Sequence, residues 1–280
     1  MSEFELGPIG LVLDVAAEGA HIEQAAEAER LGYTTLWAAG GQLALLEPLV
    51  ELVRATKKAA VAPAILSLDV HGLADVTGLY DRLDDDEAHR LVAGLGGPQQ
   101  AARPLAALRE FLDGLDAADP PVPAGRRLIA ALGPRKLEIA RDRAAGAITL
   151  LVTPGYTEWA RGVLGPDATL VVNQMVVLDT DVERARGLVR APLGFLLNVG
   201  GYAMNMRRMG FDDDDITGVS DNVVDAVAII GDADTIAAGV RAHLAAGADH
   251  VALSVLSDGN QPGAMEVARA VVAADPALLG

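Results

Sequence analysis

Hydrophobic positions along the chain follow two kinds of pattern that alternate. Short runs of consecutive apolar residues are followed by longer stretches in which apolar residues recur every three or four positions. The first kind is typical of buried β-strands and the second of amphipathic helices. The runs predict eight strands, at Ile9–Asp14, Thr34–Ala39, Ala60–Ser67, Arg90–Gly94, Leu128–Leu132, Ala147–Val152, Thr169–Leu178 and His250–Val255.

Each predicted strand is followed by a helical stretch, and eight such units over about 250 residues match a (β/α)8 TIM barrel of the α/β class. We therefore predict one barrel domain over residues 1–280. Residues 190–230 exceed one strand–helix unit, which predicts a helical insertion before the last strand. A doubly wound open sheet is the rival architecture. It would need a glycine-rich first turn, whereas the first turn here contains Asp14, Val15, Ala16 and Ala17.

Charge and composition narrow the function classes. The 280 residues include 22 Lys+Arg and 39 Asp+Glu, a formal net charge of −17. This charge disfavours nucleic acid and anionic membranes as partners and leaves a small-molecule substrate as the expectation. No apolar run approaches the ~20 residues that span a bilayer, and Met1–Asp14 lacks the basic region of a signal peptide, so we expect a cytoplasmic protein. The absence of cysteine excludes thiolate catalysis and Cys-ligated metal, and three lysines leave few Schiff-base candidates.

A candidate anion site lies after the fifth predicted strand. The strand ends at Leu132, Gly133 permits a sharp turn, and Pro134 suits the first position of a helix. Unsatisfied N–H groups at a helix start attract anions, and Arg135 and Lys136 add positive charge. Plain helix initiation is the alternative. Four further basic residues of this segment belong to its opposite end, at positions 126, 127, 141 and 143.

Two groups of polar residues are candidates for catalysis. Asp69 and His71 lie two positions apart at the end of the third strand, where extended backbone would place them on one side. They could act as an acid–base or metal pair, or they could cap a loop; we expect no metal site. Tyr156 follows the sixth strand and could donate a hydrogen bond to a substrate carbonyl, or its ring could pack at the barrel rim. His250 begins the last strand, where a role in stability is expected.

Several stretches, together and in order, resemble the luciferase-like flavin and deazaflavin (F420) oxidoreductases, and in particular an actinobacterial F420-dependent subgroup. The resemblance spans nearly the whole chain and includes the turn at Leu132–Lys136. The other stretches that carry it are LGYTTLW at 31–37, LVTP at 151–154, VLDTD at 177–181, RMGF at 208–211 and AGADHV at 246–251.

The resemblance implies a barrel whose carboxyl-terminal face holds F420, with hydride transfer to or from a small organic substrate. It places a bulged third strand with a non-prolyl cis peptide behind the cofactor ring, and it places the cofactor phosphate near Leu132, Gly133 and Pro134. Pairing of barrels into a homodimer is also implied. The residues expected around the cofactor are Ala39, Ala64, Ile65, Leu66, Ser67, Leu132, Gly133, Pro134, Arg135, Lys136 and Thr153.

The chain departs from the pattern that it resembles at positions expected near the cofactor or substrate. Relatives usually carry an acid after the tryptophan of the second strand, but Trp37 is followed by Ala-Ala-Gly-Gly. Relatives of the subgroup have Glu-His after Thr-Pro, where this chain has Gly155 and Tyr156. Two alternatives therefore stay open: an FMN-dependent monooxygenase of the same fold, or a barrel without cofactor that serves binding or non-redox acid–base chemistry.

Two acidic runs and one methionine-rich stretch predict further local features. Residues 84–87 and 212–215 are four consecutive acids each, which predicts solvated loops or helix starts. The stretch at 198–208, inside the predicted insertion, contains two methionines and two arginines. It could cover the site as a lid or form an interface.

Overall fold

The computed structural model of the protein describes residues 4–16 and 19–280, in which ten parallel strands form one sheet. The strands are β1 (Ile9–Leu13), β2 (Thr35–Ala39), β3 (Ala60–Ala64), β4 (Leu66–Ser67), β5 (Ala93–Gly96), β6 (Arg127–Ala130), β7 (Gly146–Leu150), β8 (Thr169–Leu178), β9 (Ala228–Gly231) and β10 (His250–Val255). The helices are α1 (Ala20–Leu31), α2 (Glu47–Ala55), α3 (Leu73–Tyr80), α4 (Asp85–Arg90), α5 (Pro104–Ala117), α6 (Pro134–Arg143), α7 (Pro154–Leu164), α8 (Val182–Leu197), α9 (Tyr202–Arg208), α10 (Asp213–Gly218), α11 (Asp221–Val227), α12 (Ala233–Ala245) and α13 (Ala264–Ala274). None of the helices in these ranges is long and apolar enough to cross a membrane.

The sheet closes into a barrel through one interrupted strand. β3 pairs with β2, whereas β4 pairs with β5, and only Ile65 separates β3 from β4. Nearer the amino-terminal end of the barrel, a parallel bridge between Val61 and Leu91 joins β3 to the residues that precede β5. Counted with β3–β4 as one strand, the ring runs β1, β2, β3–β4, β5, β6, β7, β8, β10. The predicted (β/α)8 barrel is therefore confirmed.

The floor of the barrel holds a buried polar pair. Trp37 Nε1 donates to His250 Nε2 over 3.0 Å, and His250 Nδ1 lies 2.7 Å from the carbonyl oxygen of Gly7. A Cβ at Gly10 would lie 2.6 Å from His250 Nε2, so the pair fills space that only glycine leaves free. Burial lowers the pKa of His250 to about 4, which keeps the ring neutral as both hydrogen bonds require. This contact fits the stability role expected of His250.

The irregular peptide of the third strand follows shortly after a proline in the same strand. Pro63 sits in regular β3 and pairs with Ala38. Its missing N–H falls on the edge that faces β5, because the carbonyl of Val61, two residues earlier, accepts from Val92 on that side. Pairing there is sparse, so proline is tolerated. The break itself is the cis peptide between Ala64 and Ile65, inside the segment where the resemblance placed one.

The insertion contains a strand as well as helices. Four helices, α8 to α11, occupy most of residues 190–230, but β9 begins at Ala228 and pairs with Met175–Leu178 of β8. The predicted helical insertion is therefore present, and it ends in a short strand that the sequence did not indicate. The strand forms because β8 is ten residues long and its upper part extends past β7, which leaves an edge to be paired.

The two acidic runs start helices. Asp84 caps α4, with its carboxylate accepting from the backbone N–H of Glu87 over 2.8 Å. Asp212 caps α10 in the same way through the N–H of Asp215. The helix α4 also displaces the fourth strand, which begins at Ala93 rather than Arg90 as predicted. Arg90 instead ends α4, and its guanidinium donates to the carbonyl of Val53.

Candidate functional site at the carboxyl end of the barrel

Side chains inside a barrel form layers, each contributed by alternate strands. The registers around this ring are consistent with the shear of about 8 typical of such barrels. Near the carboxyl end of the barrel, these registers place one layer of side chains contributed by β1, β3, β6 and β8. Above it lies a rim layer of side chains contributed by β2, β5, β7 and β10. The lower layer consists of Val12, Ala64, Ala130 and Asn173. The rim layer consists of Ala39, Gly96, Leu150 and Ser254.

Small side chains therefore make the mouth of the barrel open and largely apolar. Ala39 pairs with Ala64 across β2 and β3, and both are half-buried, as is Ala130. A half-buried alanine in a barrel interior means that no larger side chain closes the space above it. A flat apolar ligand could rest on these methyl groups.

The interrupted strand beside this surface is enclosed by glycines because its backbone approaches its neighbours closely. A Cβ at Gly40 would lie 2.2 Å from the backbone nitrogen of Ile65, and one at Gly94 would lie 2.2 Å from the carbonyl oxygen of Pro63. At Gly96 it would lie 2.1 Å from Ile65 Cδ1. The glycine after Trp37-Ala38-Ala39 is thus required by the close approach of the bulge.

The turn of the predicted anion site, at Leu132–Lys136 and here called the anion turn, has the local structure that the sequence indicates. Gly133 is the N-cap of α6 and Pro134 its first residue. Leu132 and Gly133 are half-buried, and Pro134 and Arg135 are exposed. Lys136 is half-buried beside Gly97, and a Cβ at that glycine would lie 3.4 Å from its Nζ. Burial lowers the pKa of Lys136, and the negative charge of Asp69 opposes that shift.

Arg208 adds a second cation to this turn from the end of α9. Its Nη1 donates to the carbonyl of Leu132 over 3.2 Å and to Asn205 Oδ1 over 2.7 Å. Its Nη2 lies 3.9 Å from the position that a Cβ at Gly133 would take. The guanidinium also lies 5.7 Å from the centre of the Trp159 ring. The insertion therefore contributes positive charge directly to the anion turn.

Sequence analysis did not single out Arg208 because 76 positions separate it from Leu132. The available signal was the pair of arginines in an acidic chain, inside a segment already suspected of covering the site. The neighbouring Arg207 points elsewhere, since its Nε donates to Asp213 over 2.6 Å. Only the fold distinguishes the two arginines.

Asp69 and His71 each hold a loop, and no hydrogen bond joins them in the described part of the chain. The carboxylate of Asp69 accepts from the backbone N–H groups of Gln99 and Gln100 at 2.9 and 3.1 Å. His71 is buried with Nε2 2.7 Å from the carbonyl oxygen of Leu43. These contacts match the loop-capping alternative, and within residues 4–16 and 19–280 no cluster of three metal-ligating side chains occurs. Their catalytic role stays a prediction.

Tyr156 and Thr153 hold the start of α7 against the anion turn. The hydroxyl of Tyr156 donates to the carbonyl of Leu132 over 2.6 Å, and its ring centre lies 5.2 Å from that of Trp159. Burial raises the pKa of Tyr156, so the phenol stays protonated. Thr153 Oγ1 accepts from the N–H of Tyr156 over 3.2 Å. Tyr156 thus packs at the rim while its hydroxyl lies at the turn.

The other arginines of the anion-turn segment belong to the opposite end of the barrel, as expected. Arg127 is fully buried and pairs with Asp116 over 2.6 Å. Arg143, at the end of α6, pairs with Asp113 and Asp116 at 2.6 and 2.9 Å. These ion pairs tie α5 and α6 to the barrel and hold Arg127 and Arg143 away from the turn.

Two surface cavities of about 470 and 840 Å³ open at the amino-terminal end of the barrel. Both are lined by residues 4, 5, 7 and 8 and by turns that precede strands. Active sites of (β/α)8 barrels lie at the carboxyl ends of the strands, so we assign the candidate site to the mouth and not to these cavities.

The fold is a (β/α)8 barrel with the candidate site at its carboxyl-terminal mouth. Among solved structures, the chain is similar to the coenzyme F420-dependent tetrahydromethanopterin reductase of Methanopyrus kandleri, with TM-score 0.73, 16% identity and coverage of 96% of this chain and 97% of that one. An F420-dependent secondary alcohol dehydrogenase in complex with an F420–acetone adduct gives TM-score 0.71, 14% identity and coverage of 98% and 99%.

A flavin enzyme shares the same fold. The oxygenating constituent of 3,6-diketocamphane monooxygenase from the CAM plasmid of Pseudomonas putida, in complex with FMN, gives TM-score 0.67, 13% identity and coverage of 96% and 98%. No family model and no curated protein sequence matches the chain. At these identities the likeness establishes the fold alone.

Proposed function

We propose that the protein is an F420-dependent oxidoreductase that transfers a hydride between the deazaflavin and a small organic substrate. The observation that carries this proposal is the anion turn at Leu132–Lys136, where a helix start, Lys136 and Arg208 converge in a chain of net charge −17. A phosphate needs such a site, and the apolar mouth nearby suits a planar ring.

The distance between the two parts of the site fits one extended ligand. The ring surface lies on β2 and β3–β4, and the anion turn follows β6, two strands further around the barrel. Neighbouring strands lie about 4.8 Å apart, so roughly 10 Å separates β4 from β6. A ring joined to a phosphate by a sugar-alcohol chain spans a distance of this order. The fold likeness to two F420-dependent enzymes supports the same ligand.

In this proposal the residues of the chain bind the cofactor, orient its ring and exclude water from it. Ala39 and Ala64 support one face of the ring, and the bulge at Ile65 supports its edge. Gly133 presents its backbone N–H at the start of α6, and Arg208 and Lys136 neutralise the phosphate. When bound, the deazaflavin supplies the carbon that accepts or donates hydride. Proton transfer to the substrate would come from Tyr156, Asp69 or His71, as predicted from the sequence.

Binding experiments test the proposal directly. The purified protein is titrated with F420 and, separately, with FMN while fluorescence is followed. We expect F420 to bind at micromolar concentration or tighter, and FMN to bind more weakly. Tighter binding of FMN would favour the monooxygenase alternative of the same fold, and binding of neither would refute cofactor-dependent redox chemistry for this chain.

A matched pair of arginine variants tests the phosphate site. Arg208→Ala removes the cation at the turn, and we expect F420 affinity to fall at least ~10-fold, as for a charge-assisted contact to phosphate. Arg207→Ala removes the neighbouring arginine, which pairs with Asp213 away from the turn. Equal losses in the two variants would mean that only general charge matters and would place the phosphate elsewhere.

A further inference from the structure

The layer of side chains just below the rim contains one amide whose oxygen has no partner. Asn173 lies on β8 and pairs with Leu150 of β7 and Ala252 of β10. Its side chain faces the barrel interior, because it lies two residues beyond Val171, which packs in the interior with Ala252. The side chain is 7% exposed, and Oδ1 accepts no hydrogen bond.

An unsatisfied acceptor at this depth needs an explanation. A buried amide oxygen without a donor costs free energy that an apolar residue of similar size would not cost. The other three members of the layer, Val12, Ala64 and Ala130, carry only methyl groups and cannot satisfy it. By contrast, the amide nitrogen of Gln174, the next residue, has two partners: Nε2 donates to the carbonyls of Met175 and Val227, both at 3.0 Å.

The position of Asn173 relative to the proposed ring surface supplies the explanation. In the ring of eight strands, β8 stands four places from β3–β4, which puts it directly across the mouth. Asn173 therefore shares a layer with Ala64 and faces the interrupted strand from the opposite wall. A ligand that rests on Ala64 and extends across the mouth presents its far edge to Oδ1.

We propose that Asn173 is a ligand-recognition residue, whose Oδ1 accepts a hydrogen bond from a ring N–H of the bound cofactor. The inference rests on the proposed function and adds to it the chemistry of recognition: a planar heterocycle with an amide-type N–H, as in the pyrimidine part of flavins and deazaflavins. An N–H donor satisfies the orphaned oxygen, whereas a ring that offers only acceptors at this edge is rejected.

Substitution by leucine separates recognition from structure. Asn173→Leu keeps the side-chain size and removes the unsatisfied oxygen, so we expect a melting temperature equal to or above that of the parent. We expect F420 affinity to fall at least 10-fold. Asn222→Leu, at an exposed position of α11, is the matched control and should bind like the parent.

A second measurement uses the ligand instead of the protein. If FMN binds the parent, its N3-methylated analogue lacks the donor, and we expect the parent to bind it at least 10-fold more weakly than FMN. Asn173→Leu should bind both forms equally. A parent that binds F420 while Asn173→Leu binds it within 2-fold would overturn the inference and leave the proposed function standing. A parent that binds neither F420 nor FMN would refute the proposed function and the inference with it.

Discussion

The buried histidine in the barrel floor predicts a loss of stability in weak acid. His250 lies between Trp37 and the Gly7 carbonyl, and burial lowers its pKa from 6.5 to about 4. In the unfolded chain the ring protonates near pH 6.5, so the unfolded state binds the additional proton between these values. Unfolding therefore becomes more favourable as the pH falls from 6.5 to 4, and the effect ends below pH 4, where both states are protonated.

The size of the effect follows from the shift. One pKa unit corresponds to about 1.4 kcal/mol, so His250 accounts for roughly 3 kcal/mol across the window. Burial likewise lowers the pKa of His243 to about 4. The Nδ1 atom of His243 lies 2.9 Å from Thr157 Oγ1. The two rings together give a slope of about 2.4 kcal/mol per pH unit near pH 5.

Denaturant unfolding of matched variants at pH 7, 6 and 5 measures this slope. Glutamine at position 250 can accept from Trp37 and donate to Gly7 without titrating. Between pH 6 and pH 5 we expect the slope of His250→Gln to be about 1.2 kcal/mol per pH unit shallower than that of the parent. His89→Gln, at an exposed histidine, controls for the substitution itself. An unchanged slope in His250→Gln would refute a neutral, buried His250.

Three further predictions concern the glycines that enclose the interrupted strand, the N-cap of α4 and Tyr156. Gly40→Ala places a Cβ 2.2 Å from the backbone nitrogen of Ile65 and should lower the free energy of unfolding by about 3 kcal/mol. The control Gly41→Ala meets nothing within 4 Å and should leave the free energy of unfolding nearly unchanged. Equal losses in the two variants, measured by unfolding in urea, would contradict the close approach. Asp84→Ala removes the cap of α4 and should cost about 1 kcal/mol by the same assay, and a change below the error of the fit would show that the cap is dispensable. Tyr156→Phe should lower the turnover of F420-linked substrate conversion by ~100-fold or more if the phenol is the proton donor, with only a small fall in melting temperature; unchanged turnover would restrict Tyr156 to packing.

The sequence predicts the barrel well because local pattern and topology coincide here. Each of the eight predicted strands appears in the ring, and Gly133 and Pro134 start α6 as expected, since these features depend on neighbouring residues. The strand β9 was missed because it is four residues long and forms only where β8 extends past β7. Its stability comes from a partner about 50 positions earlier in the chain, which no local pattern records.

The candidate site was predictable in part for the same reason. The anion turn is a local feature, but Arg208 and Asn173 reach the mouth through the fold. Asn173 lies beside Gln174 in the middle of a largely apolar strand, and the sequence does not show which of the two amides has a partner. Asp69 and His71 illustrate the reverse case: their spacing indicated a pair, whereas the loop after β4 gives each its own backbone partner.

The central claim is that this barrel holds a deazaflavin at its carboxyl-terminal mouth, and a crystal structure of the protein soaked with F420 tests it most directly. We expect the ring to lie against Ala64 and Ile65, its N–H edge to lie at Asn173, and the phosphate to lie between Gly133 and Arg208. Cofactor bound in the cavities at the amino-terminal end, or a mouth that stays empty at saturating F420, would contradict it.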